Sequence, residues 1–106
     1  MTINTRTDNL VWVRRKLHAL AEVSGQEDRT AAFVADYLAQ LEPDELKTGI
    51  GGYGLVATFR GEKPEEGPTL LFRSELDALP IDEPNTFAHR SKRRGVSHKC
   101  GHDGHM

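Results

Sequence analysis

The densest set of reactive groups in this chain is Cys100-Gly101-His102-Asp103-Gly104-His105, preceded by His98 and Lys99. Cys100 is the only cysteine. A thiolate and imidazoles spaced by glycines suit a borderline-soft divalent cation such as zinc. Cys100 and His102 are the first candidates for ligands. Three other readings stay open on these residues alone. Cys100 is a nucleophile with a histidine base, or His98, Cys100, His102 and His105 form a small local zinc site, or the thiol is inert beside surface histidines. The spacings depart from the two-plus-two pattern of zinc fingers.

A second candidate is Ser74-Glu75-Leu76-Asp77-Ala78-Leu79-Pro80-Ile81. Glu75 and Asp77 stand two apart, so in an extended segment both carboxylates point to the same side. Open α/β sheets place chemistry at such strand ends; the competing reading is a solvated loop. Gly49-Ile50-Gly51-Gly52-Tyr53-Gly54 has the letters of a dinucleotide fingerprint. That fingerprint needs a helix next, whereas Leu55-Val56-Ala57-Thr58-Phe59 is strand-like, so a turn is expected. His18 and His89 stand alone in sequence and read as packing or surface residues.

Composition narrows the classes. At 106 residues and a net charge of −2, the chain is one domain or part of one. Acidic and basic residues are interleaved, and the short cluster Arg90, Lys92, Arg93 and Arg94 has no aromatic partners, which argues against nucleic-acid binding. A lone cysteine leaves no intrachain disulfide. The stretch 1–9 is polar and unlike a signal peptide, and no apolar run is long enough to span a membrane. A soluble, cytoplasmic protein is expected. Beyond Ile81 the large apolar side chains are Phe87, Val96 and Met106, too few for a core.

The elements that must position these residues follow from periodicity. Leu10, Val13, Leu17 and Leu20 predict a helix over 8–22 with Asp8 as N-cap and Arg14, Arg15 and Lys16 on a solvated face. Ser24 and Glu27 form a capping-box pattern ahead of a second helix over 25–41, with Phe33, Val34, Tyr37, Leu38 and Leu41 on its apolar face and Pro43 beyond its end. Leu46–Thr48 is a short strand. Residues 55–60 and 69–73 read as strands joined antiparallel by the charged loop 61–68. Leu70-Leu71-Phe72 is expected to be buried on both faces.

Three segments together resemble the N-terminal part of the M20 metallopeptidase family. They are Arg14-Arg15-Lys16-Leu17-His18 with Glu22-Val23-Ser24-Gly25-Gln26-Glu27 and Thr30, then Arg73 to Ile81, then His98 to His105. The likeness is greatest to the amidohydrolase branch: hippurate hydrolases, N-acyl-amino-acid amidohydrolases and auxin-conjugate hydrolases. It implies an α/β fold, here a partial zinc-exopeptidase-like domain with two N-terminal helices and strands of a mixed sheet. Residues 1–106 would be the N-terminal part of the catalytic domain, without the lid or dimerisation domain. It implies two divalent metals per complete site, zinc or else manganese, cobalt or nickel. Cys100 and His102 match its first two ligands, and Asp77 the carboxylate supporting the site.

Glu75 departs from the branch, which usually has Asp there, and Ala21 replaces a usual proline, a change expected to be mild. The implied reaction is hydrolysis of the amide of an N-acyl amino acid or small peptide by metal-activated water. The family's general base is a glutamate of an acidic pair beyond the Cys-Gly-His motif. It does not occur in these residues, and Glu65-Glu66, in a loop facing solvent, is no substitute. The 106 residues alone are therefore expected to be inactive and to hold metal weakly. The alternatives are a non-enzymatic binding module, whose open sheet edges favour self-association, and a self-standing zinc protein.

Overall fold

In the computed structural model, residues 5–106 are described, with side chains from residue 8. Helix α1 (Thr5–Leu20) and helix α2 (Asp28–Ala39) precede strands β1 (Glu45–Ile50) and β2 (Gly54–Thr58), and a short turn of helix, α3 (His102–His105), closes the order. The chain divides into two compact units, one made of the residues up to Thr30 with Ser74–Met106, the other of Ala31–Arg73.

In the first unit α1 buries Leu17 completely, worth roughly 2 kcal/mol of apolar transfer. Leu10, on the same stripe, stays exposed. Around Leu17 the buried set is small or polar: Ala21, Ala78, Glu22, Thr30, Ser97, His98 and Asp103. Two details of the first helix differ from expectation. It is already formed at Thr5, so Asp8 lies in its first turn instead of capping it. Arg14 is not simply solvated: its Nε approaches Asp103 Oδ2 at 3.5 Å.

The cap of α2 also differs. Ser24 and Glu27 do not form the box, and Glu27 Oε1 accepts from Gln26 N. The buried carboxylate of Glu22 accepts from Thr30 N at 2.6 Å and Arg29 N at 3.3 Å. A carboxylate at free helix amides meets both their hydrogen-bond need and the helix dipole.

In the second unit β1 and β2 pair antiparallel, Glu45 opposite Thr58 and Ile50 opposite Gly54, with a register shift between Lys47 and Ile50. Gly49 sits there at φ 71°, and Gly51 and Gly52 turn the chain at φ 61° and 115°. These glycines close a hairpin, because positive φ costs them little. The expected pairing of 55–60 with 69–73 is overturned: β2 takes β1 as partner across a turn of a few residues, and 69–73 form no strand. Closing the shorter loop costs less entropy. Leu70, Leu71 and Phe72, expected inside, are 73%, 85% and 89% exposed.

Candidate metal centre

The segment carrying Asp77 is fixed on both sides by backbone hydrogen bonds. Ala78 N donates to Glu22 O at 2.7 Å, and Leu79 exchanges two bonds with Ser97, at 2.9 and 3.0 Å. The chain beyond Ile81 is held by polar contacts in place of a core. Gly95 N donates to Asp82 Oδ1, Ser91 N to Glu83 Oε1, Ser97 Oγ to Ile81 O and Lys92 N to Ala19 O. After Ser97 the chain turns at Gly101, whose φ is 89°, and brings His102 back to Asp77.

His102 Nδ1 lies 3.0 Å from both the carbonyl oxygen and Oδ1 of Asp77. A carbonyl oxygen only accepts, so Nδ1 carries the proton and donates. Nε2 faces Glu75 Oε2 at 3.1 Å, as a lone pair in the neutral imidazole and as a second donor in the imidazolium. Two electron-rich atoms at this distance repel unless a proton or a cation lies between them. The donor set therefore fits a divalent cation, and the Asp77 carboxylate fixes the tautomer as carboxylates behind metal-binding histidines do.

Among the described residues, one group of three offers ligand atoms all within 4.8 Å of one another: Glu75, Asp77 and His102. The structure thus brings together two of the three residues singled out from the sequence, Asp77 and His102. Cys100 stands beside them, its Sγ 3.8 Å from the Asp77 carbonyl oxygen, and outside the group. Glu75, the departure from the aspartate usual in the resembled branch, is inside it, with Oε2 3.1 Å from His102 Nε2. His98, Cys100, His102 and His105 are not gathered as a four-ligand cluster.

A second arrangement escaped sequence reasoning. His18, read as a packing or surface residue, joins two carboxylates: Nδ1 to Asp103 Oδ2 at 2.8 Å and Nε2 to Glu83 Oε2 at 2.7 Å. Its partners lie 85 and 65 positions away, so no local pattern signals them. Burial works against the charge on Glu83, but the Ser91 amide, His18 and Asn85 outweigh it and hold the carboxyl below its ordinary value. His98 is buried, and neither ring nitrogen makes a hydrogen bond. Desolvation pushes its pKa down, against the pull of Asp103.

No protein-family model matches the chain. Over 104 residues, 94% of its length, it is 44% identical to an N-acyl-L-amino acid amidohydrolase of Geobacillus stearothermophilus, of which it covers 26%. It is 39% identical over 100 residues, 93% of its length, to thermostable carboxypeptidase 1 of Saccharolobus solfataricus, covering 25% of that protein. Among solved structures, the YXEP protein of Bacillus subtilis, described as a dinuclear metal binding peptidase from the M20 family, matches with a TM-score of 0.85 at 32% identity. That match covers 96% of this chain and 28% of the other. The chain therefore spans about a quarter of the length of these curated relatives.

Proposed function

The chain carries a partial segment of the M20 amidohydrolase family, and from that premise we propose that it is the N-terminal part of the catalytic domain of a metal-dependent amidohydrolase. The lid or dimerisation domain would lie outside it. The substrate would be an N-acyl amino acid or small peptide, as the relatives' names suggest. His102 and Glu75 would hold a divalent cation, Cys100 would complete or share its coordination, and Asp77 would position His102. The observation that carries this reading is the His102 imidazole, whose Nδ1 proton is committed to Asp77 while Nε2 faces Glu75 at 3.1 Å.

A bound cation there would supply Lewis-acid polarisation of the scissile carbonyl and activation of water. The chain's own residues bind and orient. Asp77 keeps the proton on Nδ1, so that Nε2 stays a ligand, and Glu75 contributes negative charge on the same side. Two cations per complete site are proposed by analogy with the dinuclear neighbour. The Cys100 thiol favours zinc, with manganese, cobalt or nickel compatible. A cytoplasmic location suits a thiol that must stay reduced to ligate.

Titration of the purified chain with zinc or cobalt tests the reading. Weak binding is expected, because few ligands are assembled. It should disappear in His102→Ala and weaken in Asp77→Asn, and the metal-loaded chain should not hydrolyse N-acetyl amino acids. Tight stoichiometric zinc that survives Glu75→Gln and Asp77→Asn, but not His98→Ala or His105→Ala, would establish the local four-ligand site instead. Turnover by the 106 residues would overturn their proposed inactivity.

A further inference from the structure

We propose that His18 is a positioning residue for the metal centre, acting through Asp103 on the turn that carries His102; this rests on the metal-centre reading above. Asp103 directly follows His102, and its side chain is fully buried. Its Oδ2 is held by His18 Nδ1 at 2.8 Å, with Arg14 Nε at 3.5 Å. Its other oxygen, Oδ1, makes no hydrogen bond. His18 is thus the short contact that keeps this carboxylate in place. The far side of the ring is fixed in turn, because Nε2 meets Glu83 Oε2 at 2.7 Å and Glu83 is tied by its other oxygen to the Ser91 amide.

The arrangement gives His102 an anchor on each side. Ahead of it, Ser97 is locked to Leu79 by two backbone hydrogen bonds. Behind it, Asp103 is locked to α1 through His18. Between these anchors the chain passes through Gly101 at φ 89°, a position with little intrinsic stiffness. With the rear anchor loosened, His102 would be held to Asp77 by its own contacts alone. The imidazole could then rotate away or exchange tautomers, and Nε2 would lose its direction towards Glu75.

Three substitutions separate positioning from bulk stability. The amide nitrogen of Asn mimics Nδ1 of histidine, and that of Gln mimics Nε2. His18→Asn therefore keeps a donor for Asp103, His18→Gln keeps one for Glu83, and His18→Phe keeps neither. The readouts are cobalt affinity of the chain and the imidazole ¹⁵N signals of His102 in the metal-free chain, with thermal melting alongside. His18→Gln and His18→Phe should lose about tenfold or more in cobalt affinity, the range for groups behind metal ligands. Their His102 signals should move from a protonated Nδ1 towards a mixture of tautomers. His18→Asn should keep both properties close to wild type, whatever the order of the melting temperatures.

Gln binding cobalt as wild type does, or Asn and Gln losing equally, would overturn the proposal. Should wild type bind no cobalt at His102, the metal reading falls. The positioning role is then decided by the ¹⁵N signals, which must still separate Asn from Gln. Should His18→Phe fail to fold, the comparison of Asn with Gln decides.

Discussion

At the scale of single residues, the informative position is Glu75, where the resembled branch usually has Asp. Its Oε2 lies 3.1 Å from His102 Nε2, and an aspartate there would be one methylene shorter. Glu75→Asp should therefore weaken metal binding although it keeps the charge. The expected loss is about tenfold, or ~1.4 kcal/mol, in a calorimetric titration with zinc, and Glu75→Gln should lose at least as much. Equal affinity in the wild type and in both substituted chains would mean that this carboxylate is not a ligand. Histidine at position 18 carries a different lesson. A residue with no neighbours of its kind in sequence bridges two buried carboxylates in space, and only the fold reveals it.

Among the elements, the junction between α1 and α2 is where local rules are broken. Ala21 is completely buried and adopts φ 35°, a region that residues other than glycine seldom enter. The resemblance suggested that alanine for the usual proline is a mild change. The backbone says otherwise, since proline is fixed near φ −65° and has no amide to donate, while Ala21 N is bonded to Leu17 O at 3.4 Å. Ala21→Pro should destabilise the chain by about 3 kcal/mol, read as a large drop in melting temperature. Ala21→Gly should be nearly neutral, because relief at positive φ offsets the loss of a buried methyl. A stable Ala21→Pro variant would show that this turn takes another conformation. Next to it, Glu22 combines three tasks: it caps α2, approaches Arg93 Nη2 at 3.5 Å, and passes its carbonyl to Ala78.

For the whole molecule, the polar interior of the first unit makes stability depend on pH. Burial lowers the His98 pKa below 6.5 in the folded chain, and Glu83 is held below 4.5. In both cases the unfolded chain binds the proton more readily, so stability falls as pH falls through the gap between unfolded and folded values. The His98 contribution declines from about pH 6.5 downward and that of Glu83 from about pH 4.5 downward. Urea titrations across this range should show a two-stage acid limb. His98→Asn should shrink the upper stage, to which His89 also contributes because desolvation and Arg15 lower its pKa too, and Glu83→Gln should remove the lower; an unchanged profile in both would refute the assignment. In the second unit, the exposed Leu70-Leu71-Phe72 run has the composition of an unpaired strand. Such runs drive association, so light scattering should show less self-association for Leu71→Lys than for wild type.

The sequence by itself determined what is local. The two helices and the two strands of the hairpin lie close to where periodicity places them, because these signals come from residues a few positions apart. The motifs carrying Asp77, Cys100 and His102 were legible for the same reason, as were the glycines that turn β1 into β2. Tertiary structure alone decided the rest. It chose Glu22 over Ser24 as the cap of α2 and β1 over 69–73 as the partner of β2, and it set Glu75 opposite His102 Nε2. Each choice is a competition between groups that are all chemically competent, settled by which one the folded backbone brings within about 3 Å of its partner.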